Sequence, residues 1–160
     1  MEGKYSRILF SLENQCARRE YCTGDMRRKI LKAVEGDAAE AEKLLSKLLE
    51  DGYVDDARYA SCFARDKSSL AGWGPVKIRY ALASKGIPAG IIDAALEDTD
   101  ADAASEKLER SLAVKWKSLA GGCEVPPVDA KLKLIRFALS RGYGYDVVRE
   151  AVEKVTRQAI

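Results

Sequence analysis

The sequence has no histidine, four cysteines and four prolines in 160 residues. Histidine is the most frequent catalytic base and a common metal ligand, so its absence removes the usual form of either kind of site. The cysteines are dispersed and show no metal-ligand spacing; they are Cys16, Cys22, Cys62 and Cys123. We interpret them as reduced thiols of a cytoplasmic protein. We therefore expect no catalytic residue, no metal and no cofactor.

Long apolar runs are also missing, so the sequence predicts no membrane-spanning helix. Residues 1–7 lead into a helix and lack the layout of a signal peptide. Gly72 and Gly74 do not form a phosphate-binding loop, because no strand precedes them and the required lysine and hydroxyl pair is absent. Asp55 and Asp56 are adjacent carboxylates, but neighbouring residues at a helix start do not converge on one substrate. Nothing in the sequence indicates catalysis.

Charge is nearly balanced overall, with a formal net charge of +2, but it is unevenly distributed. Residues 18–32 are basic, residues 93–109 are acidic, and the last third of the chain is basic again. This pattern allows an acidic or polyanionic partner on one face of the protein.

Helical periodicity runs through the whole chain, and nowhere does strand-like alternation persist. It predicts helices at about 6–19, 24–35, 38–51, 55–68, 75–85, 88–97, 104–120, 130–141 and 145–157. Residues 98–103 are expected to be loop or frayed helix, and residues 121–127 a Gly/Pro loop. In the third helix we expect a set of inward apolar residues, namely Ala41, Leu44, Leu45, Leu48 and Leu49.

Helix ends carry recognisable signals. We expect Thr23, Asp37, Asp55 and Asp129 to cap the helices that follow them, and Pro75 to take the first position of its helix. Glycine ends several helices, in the conformation that a left-handed stop requires. The residues that we assign to the structural motif of these joints are Gly52, Tyr53, Asp55, Asp56, Tyr59, Phe63, Pro75, Ile78, Gly86 and Gly142.

An internal repeat connects the middle helices of three successive trios. Lys29-Ile30 aligns with Lys77-Ile78 and with Lys133-Leu134, and KGI at 85–87 aligns with RGY at 141–143. We predict an all-α protein of tandem three-helix repeats, at 1–54, 55–100 and 101–160, stacked into an elongated, curved modular array. We expect it to be a monomer.

A cationic stripe follows from the same alignment, because lysine recurs beside the core position of each middle helix. Cations spaced along an extended surface suit a long anionic partner, either nucleic acid or an acidic protein filament. An ordinary solvated face is the alternative, and Tyr80 interrupts the stripe. Trp73 is interpreted as an apolar lid, with a partner contact as the alternative. The candidate partner-binding residues are Arg28, Lys29, Lys32, Arg58, Arg65, Lys77, Arg79, Lys133, Arg136 and Arg141.

Several of these segments resemble the RecX family, bacterial regulators of the RecA recombinase. The resemblance lies in GYVDDARYA at 52–60 with Phe63 and Arg65, in GPVKIR at 74–79, in KGI at 85–87, and in the late pattern of Lys133-Leu134 and SRGY at 140–143. It extends from about residue 17 to residue 155. The departures are the loop at 121–127 and Tyr80.

The resemblance implies an all-helical, curved protein of three-helix units without enzymatic activity. It implies binding to RecA filaments in their helical groove and inhibition of ATP hydrolysis, strand exchange and filament growth. Some members of the family also contact DNA, so single- or double-stranded DNA is a second expected partner. The alternative function is a helical-repeat protein that binds DNA directly, which phosphate contacts would make strongly dependent on salt.

Overall fold

The computed structural model describes residues 2–121 and 128–158, and within them it contains helices and no strand. The all-α prediction is therefore confirmed for the described part of the chain. The helices are α1 (Glu2–Arg18), α2 (Thr23–Ala33), α3 (Ala38–Glu50), α4 (Asp56–Ser69), α5 (Pro75–Ser84), α6 (Ala89–Glu97), α7 (Ala101–Ala120), α8 (Ala130–Ser140) and α9 (Tyr145–Gln158). Residues 122–127, which include Cys123 and most of the predicted Gly/Pro loop, lie outside the described residues.

Several helix ends form as their local signals predict. The Asp37 carboxylate accepts from the amide of Glu40 at 3.1 Å, and the Asp55 carboxylate accepts from the amide of Arg58 at 3.1 Å. Gly52 has φ +76° at the end of α3, a conformation that a side chain disfavours. At these joints the caps come from residues next to the helix ends in sequence.

Two helix starts differ from the prediction. The cap of α2 is Cys22, whose Sγ accepts from the amide of Asp25 at 3.5 Å, and not Thr23. The amide of Thr23 instead donates to the Asp56 carboxylate at 2.7 Å, a contact over a long sequence separation. α7 begins at Ala101 rather than near residue 104, because the Asp100 carboxylate caps it.

Two further predictions about side chains are corrected. Asp129 precedes α8, but within the described residues its carboxylate makes no capping hydrogen bond and pairs with Lys133 at 3.2 Å. Leu49, predicted to point inward, is 42% exposed, whereas Leu45 and Leu48 on the same helix are buried. The inward stripe of α3 is therefore narrower than the apolar run in its sequence.

The chain divides into two compact units: Met1–Cys62 with Leu82–Ala95, and Phe63–Ala81 with Leu96–Ile160. The division falls inside α4 and α5, so each of these helices contributes to both units. The first unit has a core of buried residues from α1, α2, α3 and the turn after α3, among them Leu12, Met26, Ile30, Leu44, Leu45, Leu48 and Val54. The three repeat boundaries given above stay a prediction.

The second unit has its core where α7, α8 and α9 meet. Its buried residues include Leu108, Leu112, Trp116, Leu134, Tyr143, Val148, Val152 and Val155. Among the described residues, no helix has the length and apolar character that crossing a membrane requires.

Candidate partner-binding surface

The predicted cations of α2 lie on its outer side, and most have a neighbour of their own. The Arg28 guanidinium lies 2.5 Å from the Asp25 carboxylate, three residues earlier on the same helix. The Lys29 ammonium lies 5.5 Å from the centre of the Tyr21 ring. Lys32 is exposed and has no ion pair among the residues that the structure describes. Lys32 is thus the α2 cation most open to an outside anion.

Arg58 holds three chain segments together. Its Nε donates to the two carboxylate oxygens of Glu20 at 2.7 and 2.9 Å, just after α1. Its Nη2 donates to the carbonyls of Gly52 and Tyr53 at 3.0 and 3.3 Å, just after α3. The hydrogen bond to Glu20 raises the pKa of the Arg58 guanidinium. Arg58, predicted as a partner contact, is therefore engaged in a clamp within the first unit.

A second polar network joins the start of α2 to the turn after α5. Lys85 Nζ lies 2.8 Å from the Asp25 carboxylate and 5.9 Å from the centre of the Tyr59 ring. Burial opposes ionisation of Asp25, but hydrogen bonds from Lys85, Cys22 and Arg28 outweigh it and hold its pKa below the usual value. This network holds Lys85 in place within the first unit. The KGI turn therefore lies where the end of α5 meets the start of α2.

The RGY turn, after α8, closes the start of α5 in the second unit. The Arg141 carbonyl accepts from the amide of Gly74 at 2.7 Å, and the Gly142 carbonyl accepts from the amide of Val76 at 2.8 Å. A Cβ on Gly142 would overlap the Cβ of Lys77, and Gly142 has φ +94°. These bonds satisfy amide groups that the first turn of α5 leaves without helical partners. Two candidate residues, Lys77 and Arg141, are thereby brought to the same joint.

An aromatic and cationic group lies beside this joint. The Trp73 ring packs edge-on against Phe63, with 6.1 Å between ring centres. Two ammonium groups lie over the Trp73 ring, Lys77 Nζ at 4.4 Å and Lys67 Nζ at 4.7 Å from its centre. Neither lysine has an ion pair with a carboxylate in the described part of the chain. We call these four residues the Trp73 cluster.

The outer side of α8 carries the remaining predicted cations of the late repeat. Lys133 pairs with Asp129, and the Arg141 guanidinium lies 5.1 Å from the centre of the Phe137 ring. Arg136 is exposed and has no partner within the described residues. Arg136 is therefore the α8 cation with the fewest ties to the fold.

Two more predicted cations belong to the second unit. Arg79 is exposed on α5, and Arg65 is exposed on the last turns of α4. Arg65 lines a cleft between the end of α4 and the start of α7, together with Lys107 and Arg110. Lys107 Nζ donates to the carbonyl of Ser69 at one wall of this cleft. The cleft is cationic on this side but also contains carboxylates at the start of α7.

The sequence identified Lys77 and Trp73 separately, but it did not join them or include Lys67. Lys67 lies four residues after Phe63 on α4, a spacing that places the two side chains on one helix face. That spacing was the available signal. The position of Trp73 between two lysines depends on how the loop after α4 returns to α5, which local pattern does not determine.

The described residues give little support for a metal site or a reactive thiol. Among the described residues no group of histidine, cysteine, aspartate or glutamate could hold a metal ion. Burial raises the pKa of the Cys16 and Cys22 thiols, so both stay protonated and weakly nucleophilic at neutral pH. The surface offers cations, exposed apolar side chains and aromatic rings, which are means of binding.

Sequence comparison relates the chain to one protein family. The family model described as the RecX second three-helix domain matches residues 55–96. A regulatory protein RecX from Halorhodospira halophila is 31% identical over 135 residues, which cover 84% of this chain and 80% of that protein. One from Leptothrix cholodnii is 35% identical over 138 residues, covering 85% of this chain and 81% of that protein.

Some relatives are much longer than the matched part. The chain is 36% identical over 114 residues to a regulatory protein RecX from Clostridium botulinum, and the match covers about half of that protein, 51%.

Structural comparison gives the same family. A crystal structure of regulatory protein RecX superposes with a TM-score of 0.80 over 94% of this chain and 72% of that one, at 20% identity. The crystal structure of RecX from Lactobacillus salivarius gives a TM-score of 0.77 over 98% and 99% of the two chains, at 19% identity. These likenesses show the helical-repeat fold, and the sequence relatives show the family. The chain belongs to the RecX family.

Proposed function

We propose that this chain regulates the RecA recombinase by binding the RecA filament on DNA, and that it inhibits ATP hydrolysis, strand exchange and filament extension. The observation that supports the proposal is family membership, since relatives that match over four fifths of their own length are named regulatory protein RecX. The chain acts by binding rather than by catalysis, as a monomer in the cytoplasm. Its three-helix repeats lie at 1–54, 55–100 and 101–160.

Within this proposal, the partner-binding surface is drawn from the cations of the middle helices. Lys32 and Arg136 support it best, because both are exposed without an ion pair among the described residues. An exposed ion pair contributes little on its own, but several cations facing one extended acidic surface add together. Arg58 contributes indirectly, by holding the ends of α1 and α3 at the start of α4.

The test is RecA ATP hydrolysis on single-stranded DNA with the folded chain titrated in. We expect hydrolysis to slow at chain concentrations at or below that of RecA, since a bound regulator acts on many filament subunits. Hydrolysis that stays constant through the titration would contradict the proposal.

Direct DNA binding is the second candidate, and the exposed cations without partners favour it. It predicts affinity for bare DNA that falls steeply as salt rises, because bound cations displace the counterions of the phosphates. The proposed regulator instead requires the filament, so its affinity for bare DNA at moderate salt should be weak. A titration of bare DNA at two salt concentrations separates the two functions.

A further inference from the structure

An apolar pocket opens beside the Trp73 cluster, within the second unit. Its volume is about 220 Å³, and it lies where the ends of α4 and α6 meet the starts of α5, α7 and α9. Its walls include Trp73, Ile78, Leu96, Tyr143 and Val147. Val147 is 46% exposed, so part of the apolar lining faces solvent. Among the residues that the structure describes, no carboxylate lines the pocket.

The size and lining suit one large apolar side chain. An apolar cavity of about 150 Å³ is already large enough to bind benzene. Two of the four hydroxyl groups in the lining donate within the protein: Thr99 to the carbonyl of Leu96 at 2.6 Å, and Tyr143 to the carbonyl of Gly72 at 3.4 Å. Among the described residues, no buried side-chain polar atom lacks a hydrogen-bond partner. The pocket therefore offers burial and few directed hydrogen bonds.

This lining discriminates against a nucleobase. A base that leaves water for such a pocket would lose the hydrogen bonds of its edge, and an unpaired buried polar group is costly. A phenylalanine or leucine side chain has no polar atoms to leave unpaired. The pocket is thus better matched to an apolar side chain of a protein than to single-stranded nucleic acid.

The charges around Trp73 indicate what flanks that side chain. Lys67 and Lys77 bring their ammonium groups over the Trp73 ring, and neither has an ion pair with a carboxylate in the described residues. Neither lysine lines the pocket, but Trp73, whose ring both ammonium groups cover, is one of its walls. Two cations next to an apolar pocket complement a carboxylate beside an apolar anchor. They would repel a basic segment.

We propose that this pocket receives an aromatic or leucine side chain from an acidic segment of a protein partner, whose carboxylate pairs with Lys67 and Lys77. The proposal rests on the proposed function, because the partner used to test it is the RecA filament. It adds an anchoring site that the cationic surface alone does not provide. A buried apolar anchor at the centre of a contact is the usual source of most of its affinity.

The pocket can be blocked from its edge. Ser105 is exposed on α7 and lines the pocket, so Ser105→Trp places a large side chain at its mouth. Ser111 is exposed on the same helix and does not line the pocket, so Ser111→Trp is the matched control. We expect Ser105→Trp to raise the chain concentration for half-maximal inhibition of RecA ATP hydrolysis about tenfold or more, the effect of losing one large apolar contact. Ser111→Trp should match the wild type.

A second pair of variants tests the charges and does not depend on the folding of Ser105→Trp. The double variant Lys67→Glu, Lys77→Glu should weaken inhibition, whereas Lys117→Glu, Arg149→Glu makes the same charge change on exposed positions elsewhere in the unit. Circular dichroism and the melting temperature check that each variant is folded.

The outcomes separate the two proposals. If the wild type inhibits and folded Ser105→Trp inhibits equally, the pocket proposal is wrong and the proposed function stands. If blocking the pocket weakens binding to a bare single-stranded oligonucleotide in the same proportion, the occupant is a base and the proposal is wrong. A wild-type chain that does not inhibit would overturn both.

Discussion

A single added methyl group at Gly142 should destabilise the protein far more than the same group at its repeat equivalent, Gly86. Both glycines follow a middle helix and have left-handed backbones, with φ +94° and φ +82°. The surroundings differ. A Cβ on Gly142 would overlap the Cβ of Lys77 and lie 2.8 Å from its amide nitrogen. A Cβ on Gly86 would have no atom of the described residues within 4 Å, apart from its own chain neighbours. Comparing Gly142→Ala with Gly86→Ala therefore separates the cost of a left-handed backbone from the cost of the overlap with Lys77.

The expected loss of unfolding free energy follows from the backbone conformation and from the hydrogen bonds between the turn after α8 and the start of α5. Left-handed backbone costs an alanine about 1–2 kcal/mol at either position. At Gly142 the overlap is relieved only if α8 and α5 move apart, which lengthens the bonds to the amides of Gly74 and Val76, at 2.7 and 2.8 Å. Each such hydrogen bond contributes about 1 kcal/mol. We expect Gly142→Ala to cost about 3–4 kcal/mol and Gly86→Ala about 1–2 kcal/mol.

The assay is urea unfolding of the wild type and both variants, followed by circular dichroism, with the free energies of unfolding compared. Equal losses in the two variants would show that the α8–α5 joint opens without cost and would refute the reasoning.

Three other changes test separate parts of the account. Asp25→Asn removes a carboxylate whose pKa is lowered in the folded state, so the stability advantage of the wild type should hold above pH 5 and shrink as pH falls below about 3.8; urea midpoints measured across this range check it, and a constant difference contradicts it. Arg58→Ala should lower the free energy of unfolding by about 1 kcal/mol, because two carbonyls after α3 lose their donor; an unchanged urea midpoint argues against the clamp. The triple variant Lys29→Glu, Lys77→Glu, Lys133→Glu should lose inhibition of RecA ATP hydrolysis and keep its helical spectrum, whereas normal inhibition would favour a solvated face.

Most of the fold could be predicted because its signals are local. Gly52, Asp55 and Pro75 end or start helices by backbone conformation and nearest-neighbour hydrogen bonds, which the sequence displays directly. The order of helices and the aligned KGI and RGY turns follow from the same information. The sequence predicts too late a start for α7, because it favours a loop over residues 98–103, whereas Asp100 is the cap of this helix.

Contacts between residues far apart in sequence decide the partners and the burial of several side chains, which local patterns do not determine. Asp56 lies in the first turn of α4, as its position at the helix start predicts, but the sequence does not show that its carboxylate also accepts from the amide of Thr23 on α2. The sequence predicts Arg58 as a partner contact, whereas in the structure Glu20 and two carbonyls after α3 accept hydrogen bonds from its guanidinium. Leu49 shares the apolar run of α3 but lies beyond the width that its neighbours bury. Each case depends on which helix packs nearby.

The candidate site stays a prediction, to which the sequence and the structure contribute different parts. The sequence selected the lysines beside the core positions, and the structure places Lys77 at the joint between α5 and the turn after α8. The sequence does not reveal the pocket, because Trp73, Leu96 and Val147 belong to separate segments that meet only in the folded chain.

Binding of the folded, fluorescently labelled chain to RecA filaments, measured by anisotropy at moderate salt, tests the central claim most directly. The same titration is run with bare single-stranded DNA and with RecA that has no DNA. The account predicts saturable binding to the filament and much weaker binding to either component alone. Equal affinity for bare DNA and for the filament would contradict it.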